Sequence, residues 1–271
     1  MEKGELIGIG MTAEVYKWGE DKIIKLYYSK MDDSWIRHEH KTSTIIHEAG
    51  LPSPAVFDLV EQDGRKGIVF EYIKGQTMLT HIQREPWMLV YYSQQLARLH
   101  YSIHQSTAKS LPTQYERFEA RMKMAQNTLG SRKKRLLEYI NTLPNASSVC
   151  HGDFHFNNII VSGDKLIPID WMNSYIGNPL GDVARTCMML SSPFCAYEIP
   201  YYMTIPLQYI KSLAYWSYVL EYINLSKTSF DKIDEWILPV AAAKLRDNMN
   251  GEEGWLNEII NERLAQLDKS S

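Results

Sequence analysis

The chain has 271 residues, of which 45% are hydrophobic and 23% are charged, and its formal net charge is −3. This length and composition are typical of a globular protein with one large domain or two lobes. The lack of a basic excess argues against binding to a nucleic-acid backbone.

The cysteines and the apolar segments bear on the compartment. The three cysteines are Cys150, Cys187 and Cys195, and their spacing does not match a metal site, which favours a reducing compartment. The N-terminal residues do not have the pattern of a signal peptide, and no uncharged apolar stretch has the length of a membrane span. We therefore expect a cytoplasmic protein with no nucleic-acid partner and no membrane partner.

The first candidate element is a glycine turn within residues 8–16, GIGMTAEVY, which contains Gly8, Gly10 and Thr12. Glycines let backbone amides approach a bound phosphate closely. A hairpin turn requires glycine for a similar reason, so the turn alone is compatible with either interpretation.

The next strand, residues 22–27, has a lysine among apolar neighbours. Strand alternation places Lys25 on the same face as Ile23 and Tyr27. This lysine either extends to solvent at the edge of the sheet or is held inside for an anionic ligand.

A helix follows, and it indicates which of these holds for Lys25. Asp32 begins a capping sequence, the helix is predicted to run to about Ala49, and Gly50 stops it. One face of this helix is apolar except for Glu39 and a threonine. Its members are Trp35, Glu39, Thr42, Ile46 and Ala49. A carboxylate on an inward face is costly unless it is paired, so we predict an ion pair with Lys25 and a nucleotide phosphate site nearby.

Residues 151–170 contain the densest set of polar groups, at the ends of two short apolar runs. The runs are residues 159–161 and 166–169, and the turn composition between them predicts a hairpin. Asn158 and Asp170 are about equally far from the turn, so antiparallel pairing places them side by side within a one-residue register error. Asp153 precedes this hairpin. Two acids and an amide form an oxygen-rich set that suits Mg²⁺ and phosphate, although a polar loop with Asx turns would explain any one of them alone.

These features occur in a familiar order. A glycine turn, a strand lysine, a helix glutamate, the loop HGDFHFNN and the tripeptide IDW follow one another between about residues 8 and 185. In this order the sequence resembles the aminoglycoside phosphotransferase and choline kinase family, small-molecule relatives of the protein kinases. The resemblance implies an α+β, protein-kinase-like bilobal fold. Residues 1–74 would form a small lobe with an antiparallel sheet, and residues 75–271 a larger, mainly helical lobe.

The resemblance also implies roles for the residues of the loop and the hairpin. Asp153 would orient the acceptor hydroxyl and take its proton, while Asn158 and Asp170 would hold Mg²⁺. His151 and Asp182 would organise the loop through hydrogen bonds.

A second group of residues would bind ATP. Lys25 would contact the phosphates and Glu39 would fix its position, with Gly8, Gly10 and Thr12 in the glycine turn. Backbone groups near Glu71 and Ile73 would pair with adenine, in a stretch that would otherwise be a plain linker.

The acceptor is less clearly indicated. Eleven residues separate Asp170 from Asp182, too few for the peptide-docking segment of a protein kinase, so no protein substrate is expected. We expect a small hydroxylated acceptor of the aminoglycoside type, with choline, another amino alcohol or a sugar as alternatives, and a nucleotide-binding pseudokinase as a further one.

Aromatic residues and acids of the C-terminal half leave the charge of the acceptor open. They could bind a cation, or they could be helix core and solvated surface. The aromatic ones are Tyr197, Tyr201, Tyr202, Tyr209, Tyr215, Trp216, Tyr218, Tyr222, Trp236 and Trp255, and the acids are Glu198, Glu221, Glu235, Asp247 and Glu252.

Overall fold

The computed structural model describes residues 3–194, 204–247 and 251–270, and most of the strands lie in the N-terminal part. The strands are β1 (Leu6–Ile9), β2 (Ala13–Lys17), β3 (Lys22–Tyr27), β4 (Val56–Gln62), β5 (Arg65–Glu71), β6 (Gln76–Thr77), β7 (Ser148–Cys150), β8 (Ile159–Ser162), β9 (Lys165–Pro168) and β10 (Tyr175–Gly177). The α-helices are α1 (Asp33–Glu48), α2 (Met78–Arg84), α3 (Leu89–His104), α4 (Gln114–Met124), α5 (Gln126–Leu129), α6 (Arg132–Ile140), α7 (Pro179–Ser191), α8 (Thr204–Ser226), α9 (Phe230–Asp234), α10 (Ile237–Lys244) and α11 (Glu252–Ser270). No helix in these described parts is both long and apolar enough to cross a lipid bilayer.

The chain divides into two compact units. The first unit consists of Met1–Arg84, Ala108–Leu111 and Phe156–Ser174, and the second of Glu85–Thr107, Pro112–His155 and Tyr175–Ser271. The β8–β9 hairpin therefore groups with the N-terminal sheet. A lobe boundary at residue 74 stays a prediction.

The first unit has an antiparallel sheet whose strand order is β1-β2-β3-β5-β4. Ile24 and Leu26 of β3 are fully buried on one face, where they pack with Trp18 and Val69. The alternation of β3 puts Lys25 on the opposite face, which it shares with Tyr27. That face carries the second core cluster, to which α1 contributes Ile36.

Helix α1 has the bounds that its sequence predicts. The Asp32 side chain accepts a hydrogen bond of 2.8 Å from the Ser34 amide and so caps the first turn. Gly50 has a φ of +78°, a left-handed conformation that ends the helix at low cost because glycine has no Cβ. Glu39, Thr42 and Ile46 are buried as the spacing predicts, whereas Ala49 is exposed.

The predicted hairpin is also present, as β8 and β9, and β6 adds a third strand. Ile159 lies opposite Pro168, which places Asn158 opposite Ile169, one residue before Asp170. The predicted proximity of Asn158 and Asp170 is therefore confirmed, within the expected register error of one residue. At Gly75 a Cβ would lie 2.1 Å from the Val161 carbonyl oxygen, so the backbone preceding β6 can approach β8 only because this residue is glycine.

The second unit is mainly helical. Helices α3 and α8 pack together, α10 packs against α4, α6, α7 and α11, and β7 pairs with β10. Its core contains large aromatic side chains, among them Phe154, Tyr218, Tyr222 and Trp236. This core supports α7 and the loop that follows β7.

Candidate active site

Lys25 joins two acids in the first unit. Its Nζ atom lies 2.6 Å from Glu39 Oε1 and 3.3 Å from Asp170 Oδ1. The Lys25 side chain is 16% exposed and that of Glu39 only 2%, whereas Asp170 is 35% exposed. The predicted ion pair between Lys25 and Glu39 is thus confirmed. The structure adds a contact with Asp170, more than a hundred residues away in the sequence.

The charges of this group depend on each other. Burial lowers the pKa of Lys25, but the charges of Asp170 and Glu39 outweigh burial and raise that pKa above its ordinary value. Burial raises the pKa of Glu39, against the charge of Lys25, which lowers it. Lys25 therefore stays a cation. The buried hydroxyl of Tyr27 also contributes to lowering the pKa of Glu39, in the same direction as Lys25.

Asn158 and Asp170 lie at one end of the hairpin. The backbone carbonyl of Asn158 accepts a hydrogen bond of 2.9 Å from the amide of Ile169 and thereby extends the β8–β9 ladder by one step. Asp170 then leaves the strand with a φ of +64° and a ψ of +57°, a left-handed conformation that is uncommon for residues other than glycine. Strained backbone of this kind concentrates at ligand sites. An amide oxygen and a carboxylate are ligands that Mg²⁺ accepts.

The glycine turn connects β1 and β2. The Gly10 amide donates a hydrogen bond of 2.8 Å to the Ala13 carbonyl, and the Thr12 carbonyl accepts one of 3.0 Å from Tyr28. Neither Gly8 nor Gly10 has a positive φ, and a Cβ at either would make only ordinary contacts. The fold itself therefore gives no steric reason for glycine at these two positions, whereas the close approach of a phosphate would.

The predicted adenine-binding segment follows β5. The Glu71 amide donates a hydrogen bond to the Ala55 carbonyl, and the Tyr72 amide donates one to the backbone carbonyl of Asp21. Among the described residues, the Ile73 amide has no backbone acceptor. Pairing of this segment with adenine stays a prediction.

Asp153 belongs to the second unit, where it lies beside basic side chains. Its Oδ1 atom is 3.1 Å from Nη2 of Arg185, and its Oδ2 atom is 3.7 Å from Nε2 of His155. Burial raises the pKa of Asp153, but the interaction with His155 and the charge of Arg185 outweigh burial and hold that pKa well below its usual range. Asp153 is therefore an ionised hydrogen-bond acceptor at neutral pH.

Asp182 holds the loop that carries Asp153. Its carboxylate accepts hydrogen bonds from the His151 amide, at 2.5 Å, and from the Gly152 amide, at 2.9 Å. Asn178 caps α7, so Asp182 lies in the first turn of that helix. The predicted bracing of the loop by Asp182 is confirmed. Cys150, just before the loop, is fully buried, and burial raises the pKa of its thiol, as expected for a small apolar residue.

Two histidines extend this brace into the helical core. His100 Nε2 and His104 Nε2 lie 3.0 Å and 3.4 Å from Asp182 Oδ2, and their Nδ1 atoms each lie 2.7 Å from the hydroxyl of a tyrosine of α8, Tyr218 or Tyr222. His100 is a buried core residue. The participation of His104 was missed, although its spacing of four residues from His100 on one helix is a usable signal.

Arg185 and Asp247 were also missed as neighbours of Asp153. Arg185 Nη2 bridges the two carboxylates, at 3.1 Å from Asp153 Oδ1 and 3.1 Å from Asp247 Oδ2. Asp247 lies 94 positions after Asp153 in the sequence. No local pattern joins them.

The acids that the sequence analysis names in the C-terminal half have cationic partners wherever the structure describes them. Each of the four described acids pairs with a cation of the chain itself: Glu221 with Arg98, Glu235 with Lys232, Asp247 with Arg121 and Arg185, and Glu252 with Lys244. Tyr218, Tyr222 and Trp236 are core residues, whereas Tyr209 and Trp216 are exposed. Cys195, Tyr197, Glu198, Tyr201 and Tyr202 lie outside the described residues.

Comparison with known proteins identifies the family of the chain. The model of the APH family, described as "Phosphotransferase enzyme family", matches residues 4–215. A curated relative, mouse "Acyl-CoA dehydrogenase family member 10", is 27% identical over 188 residues, which are 61% of this chain. The chain spans only 17% of the length of that relative.

Solved structures match the fold over nearly the whole chain. An aminoglycoside-3'-phosphotransferase of type VIII has a TM-score of 0.61 at 17% identity, covering 92% of this chain and 93% of its own. A choline kinase from Cryptosporidium parvum Iowa II has a TM-score of 0.55 at 14% identity, covering 99% of this chain and 89% of its own. The streptomycin-ATP-APH(2")-IIa ternary complex has a TM-score of 0.54 at 17% identity, covering 93% of this chain and 88% of its own.

The fold is therefore that of the protein-kinase-like phosphotransferases, with an antiparallel N-terminal sheet and a mainly helical remainder. Because the family model covers well over half of the chain, this protein belongs to the phosphotransferase enzyme family.

Proposed function

We propose that this protein is an ATP- and Mg²⁺-dependent kinase that moves the γ-phosphate of ATP to a hydroxyl group of a small molecule. The observation that carries the proposal is the position of Lys25 between Glu39 and Asp170. A buried lysine oriented by one acid, beside a second and more exposed acid, suits a nucleotide phosphate and its metal ion. Membership of the phosphotransferase family supports the same reaction class.

The residues of the first unit fit a nucleotide and its metal. Lys25 would bind phosphate oxygens and Glu39 would hold its ammonium in place, while the Gly8–Gly10 turn would provide backbone amides. Asn158 and Asp170 would hold Mg²⁺, and the bound ion would neutralise negative charge on the nucleotide phosphates. The oxygen donors of Asn158 and Asp170, and the exposure of Asp170, fit this ion.

Asp153 would act on the acceptor. An ionised carboxylate accepts a hydrogen bond from the acceptor hydroxyl, orients its oxygen for attack and takes its proton as the new phosphorus–oxygen bond forms. The low pKa of Asp153 makes it a weak base, so its main contribution is orientation, with proton transfer late in the reaction. Arg185 and the Asp182 brace hold this carboxylate in place.

The acceptor expected from family resemblance is an aminoglycoside, with choline, another amino alcohol or a sugar as alternatives. Similar structures whose titles name aminoglycoside phosphotransferases or choline kinase support a small-molecule acceptor. A catalytically silent nucleotide-binding protein would lack Lys25, Asp153 or Asp170, and all three are present. The cysteine spacing, which favours a reducing compartment, supports a cytoplasmic enzyme.

An acceptor panel tests the reaction. The purified protein is incubated with ATP and Mg²⁺ and, in separate reactions, an aminoglycoside, choline, ethanolamine, sugars and hydroxy acids. ADP release and product mass are measured, with the Asp153→Asn variant as control. We expect at least one acceptor to gain one phosphate with the wild type only. Tight ATP binding without any phosphorylated product would contradict the proposal and favour a pseudokinase.

A further inference from the structure

Helix α8 is apolar on two opposite sides, although only one of them lies in the core of the second unit. Ala214, Tyr218 and Tyr222 are spaced by four residues and are buried. On the opposite side the helix carries four large side chains that are exposed in the single chain. They are Tyr209, Leu213, Trp216 and Leu220, which we call the α8 stripe. A surface helix normally has polar residues on its outer side, and a helix that is apolar all round is normally buried.

The α8 stripe forms one surface with two neighbouring apolar side chains. Ile210 lies one turn before Leu213, and the ring of Phe230, in α9, packs against Trp216 with the ring centroids 6.0 Å apart. The six side chains are 38% to 74% exposed. At roughly 150–250 Å² for a large side chain, they expose on the order of 600 Å² together. Monomeric proteins rarely expose contiguous apolar patches of more than a few hundred Å², and larger patches mark interaction sites.

The α8 stripe has no charged side chain of its own. Between Gln208 and Leu220 the one charged residue is Lys211, whose ammonium donates hydrogen bonds of 2.7 Å and 2.6 Å to the backbone carbonyls of Ser192 and Phe194. A membrane-binding helix combines its apolar face with a polar face rich in lysine and arginine, whereas the opposite face of α8 is buried in the core. An uncharged stripe can contact a second copy of itself without repulsion between like charges.

The order of the stripe along the helix suits a second copy of the same chain. Its members are separated by four, three and four residues, which is the alternation found along a seam between two packed helices. This order is the same when it is read in the opposite direction. An antiparallel copy of α8, related by a twofold axis, therefore places Tyr209 of each chain opposite Leu220 of the other. Leu213 lies opposite Trp216 in the same arrangement.

We propose that this protein forms a homodimer in which two copies of helix α8 pack antiparallel through the α8 stripe. The inference goes beyond the proposed kinase reaction and does not depend on it. Two copies would bury about 1,200 Å² in total, the lower limit for a stable and specific interface. We therefore expect a reversible dimer with a Kd on the order of 10 µM.

Sedimentation velocity tests the association itself. The purified protein is measured at concentrations from about 1 to about 200 µM, a range that brackets the expected Kd. We expect the weight-average mass to rise from that of one chain toward that of two chains across this range. A protein that stays monomeric at the highest concentration would overturn the proposal.

Charge substitutions test whether the α8 stripe is the interface. Tyr209→Lys and Leu220→Glu each place a charge opposite an apolar side chain at two points of the dimer, so each is expected to raise Kd at least about tenfold. Trp87→Lys is the matched control, because Trp87 is an exposed aromatic residue of the second unit outside α8. Circular dichroism and the thermal midpoint establish that each variant folds. An unchanged Kd in both stripe variants, or an equal increase in Trp87→Lys, would contradict the proposed interface.

A mixture of the two stripe variants tests the antiparallel arrangement. In a mixed dimer of Tyr209→Lys with Leu220→Glu, the two substituted positions face each other and carry opposite charges. At equal total concentration, the equimolar mixture is expected to have a Kd at least about tenfold lower than that of either variant alone. Parallel packing of the helices, or an interface built for a different protein, would give no such recovery. Two folded variants that stay monomeric when mixed would therefore overturn the proposal.

Discussion

At the scale of single residues, the two acids nearest the proposed chemistry have different surroundings. Asp170 forms an ion pair with Lys25 and remains about one third exposed, whereas Asp153 is held by Arg185 and His155. An exposed carboxylate suits a metal ion, and a carboxylate held ionised by cations suits an acceptor hydroxyl. The environment of each side chain therefore supports a different proposed role for the same functional group.

Replacement of Asp153 tests its role directly. Asp153→Asn keeps the size of the side chain but removes its charge and most of its capacity to take a proton. We expect turnover to fall at least about 100-fold, the lower range for acid–base groups, which corresponds to about 2.7 kcal/mol of transition-state stabilisation. Affinity for a non-hydrolysable ATP analogue should change less than about twofold. The measurement combines steady-state kinetics with calorimetric titration.

Asp164→Asn is the matched control, since Asp164 lies in the exposed turn of the β8–β9 hairpin. Near-normal turnover in Asp153→Asn would refute the proposed role of Asp153.

Glu39 is predicted to position Lys25. Glu39→Gln removes the charge that holds the ammonium of Lys25 at 2.6 Å, so Lys25 is expected to shift toward Asp170. KM for ATP should rise about tenfold, the effect of roughly 1.4 kcal/mol of lost binding. Because Asp170 still compensates Lys25 and burial penalises the Glu39 carboxylate, the thermal midpoint should change little.

Glu48→Gln, on the exposed part of the same helix, is the comparison variant. If Glu39→Gln unfolded the protein and Glu48→Gln did not, Glu39 would act in stability and not in positioning.

At the scale of secondary-structure elements, α7 organises the loop that follows β7. Its first turn carries Asp182, whose two oxygens accept hydrogen bonds from two successive loop amides. His100 and His104, on α3, contact the same carboxylate, and α8 supplies a tyrosine hydroxyl to each imidazole. Three helices thus hold the loop through one side chain. Burial opposes ionisation of Asp182, but the two histidines outweigh it and hold its pKa well below the usual range.

Asp182→Asn tests this brace. An amide presents an NH₂ group to backbone donors that now meet a carboxylate oxygen, so buried donors would lose their acceptor. We expect the free energy of unfolding to fall by about 3 kcal/mol or more, which urea unfolding measures at constant m-value. Asp231→Asn is the matched control, because Asp231 also lies in the first turn of its helix but is exposed, and it should change stability by less than about 0.5 kcal/mol. Equal stability of the two variants would show that Asp182 is not a structural brace.

At the scale of the whole molecule, the buried His100 links stability to pH. Burial, together with the nearby His104, lowers the pKa of His100 to about 3, against the charge of Asp182. The ordinary value is 6.5, so the unfolded chain binds more protons than the folded protein between these two pH values. The contribution of neutral His100 to the free energy of unfolding is fully present above about pH 6.5 and is lost as the pH falls toward 3.

The expected slope is up to about 1.4 kcal/mol of unfolding free energy per pH unit for one such group. Urea unfolding at several pH values between about 7 and 4 measures it, and His100→Gln should have a shallower slope over the same range. The pKa of Asp182 is also lower in the folded protein, so Asp182 adds to the loss of unfolding free energy only below its ordinary pKa of 3.8. Stability that is constant between about pH 7 and 4 in the wild type would contradict the prediction.

The sequence was most informative where short-range periodicity decides the structure. Helix α1 and hairpin β8–β9 have the predicted bounds because capping residues, turn residues and alternation act within a few positions. The pair Lys25–Glu39 was predictable because an acid on a buried helix face requires a partner, and β3 is the preceding strand. Arg185, Asp247 and His104 were not recognised as a group, since their contacts depend on how helices pack.

The amino-acid sequence by itself determined the reaction class, the family and the identity of the acids and the lysine proposed for phosphate and metal. Local chemistry along the chain is sufficient for those. Only the tertiary structure decided which charges surround Asp153, because Arg185, which contacts it, and Asp247, which contacts the same arginine, come from separate segments of the chain. Electrostatic interactions depend on distance in space rather than in sequence.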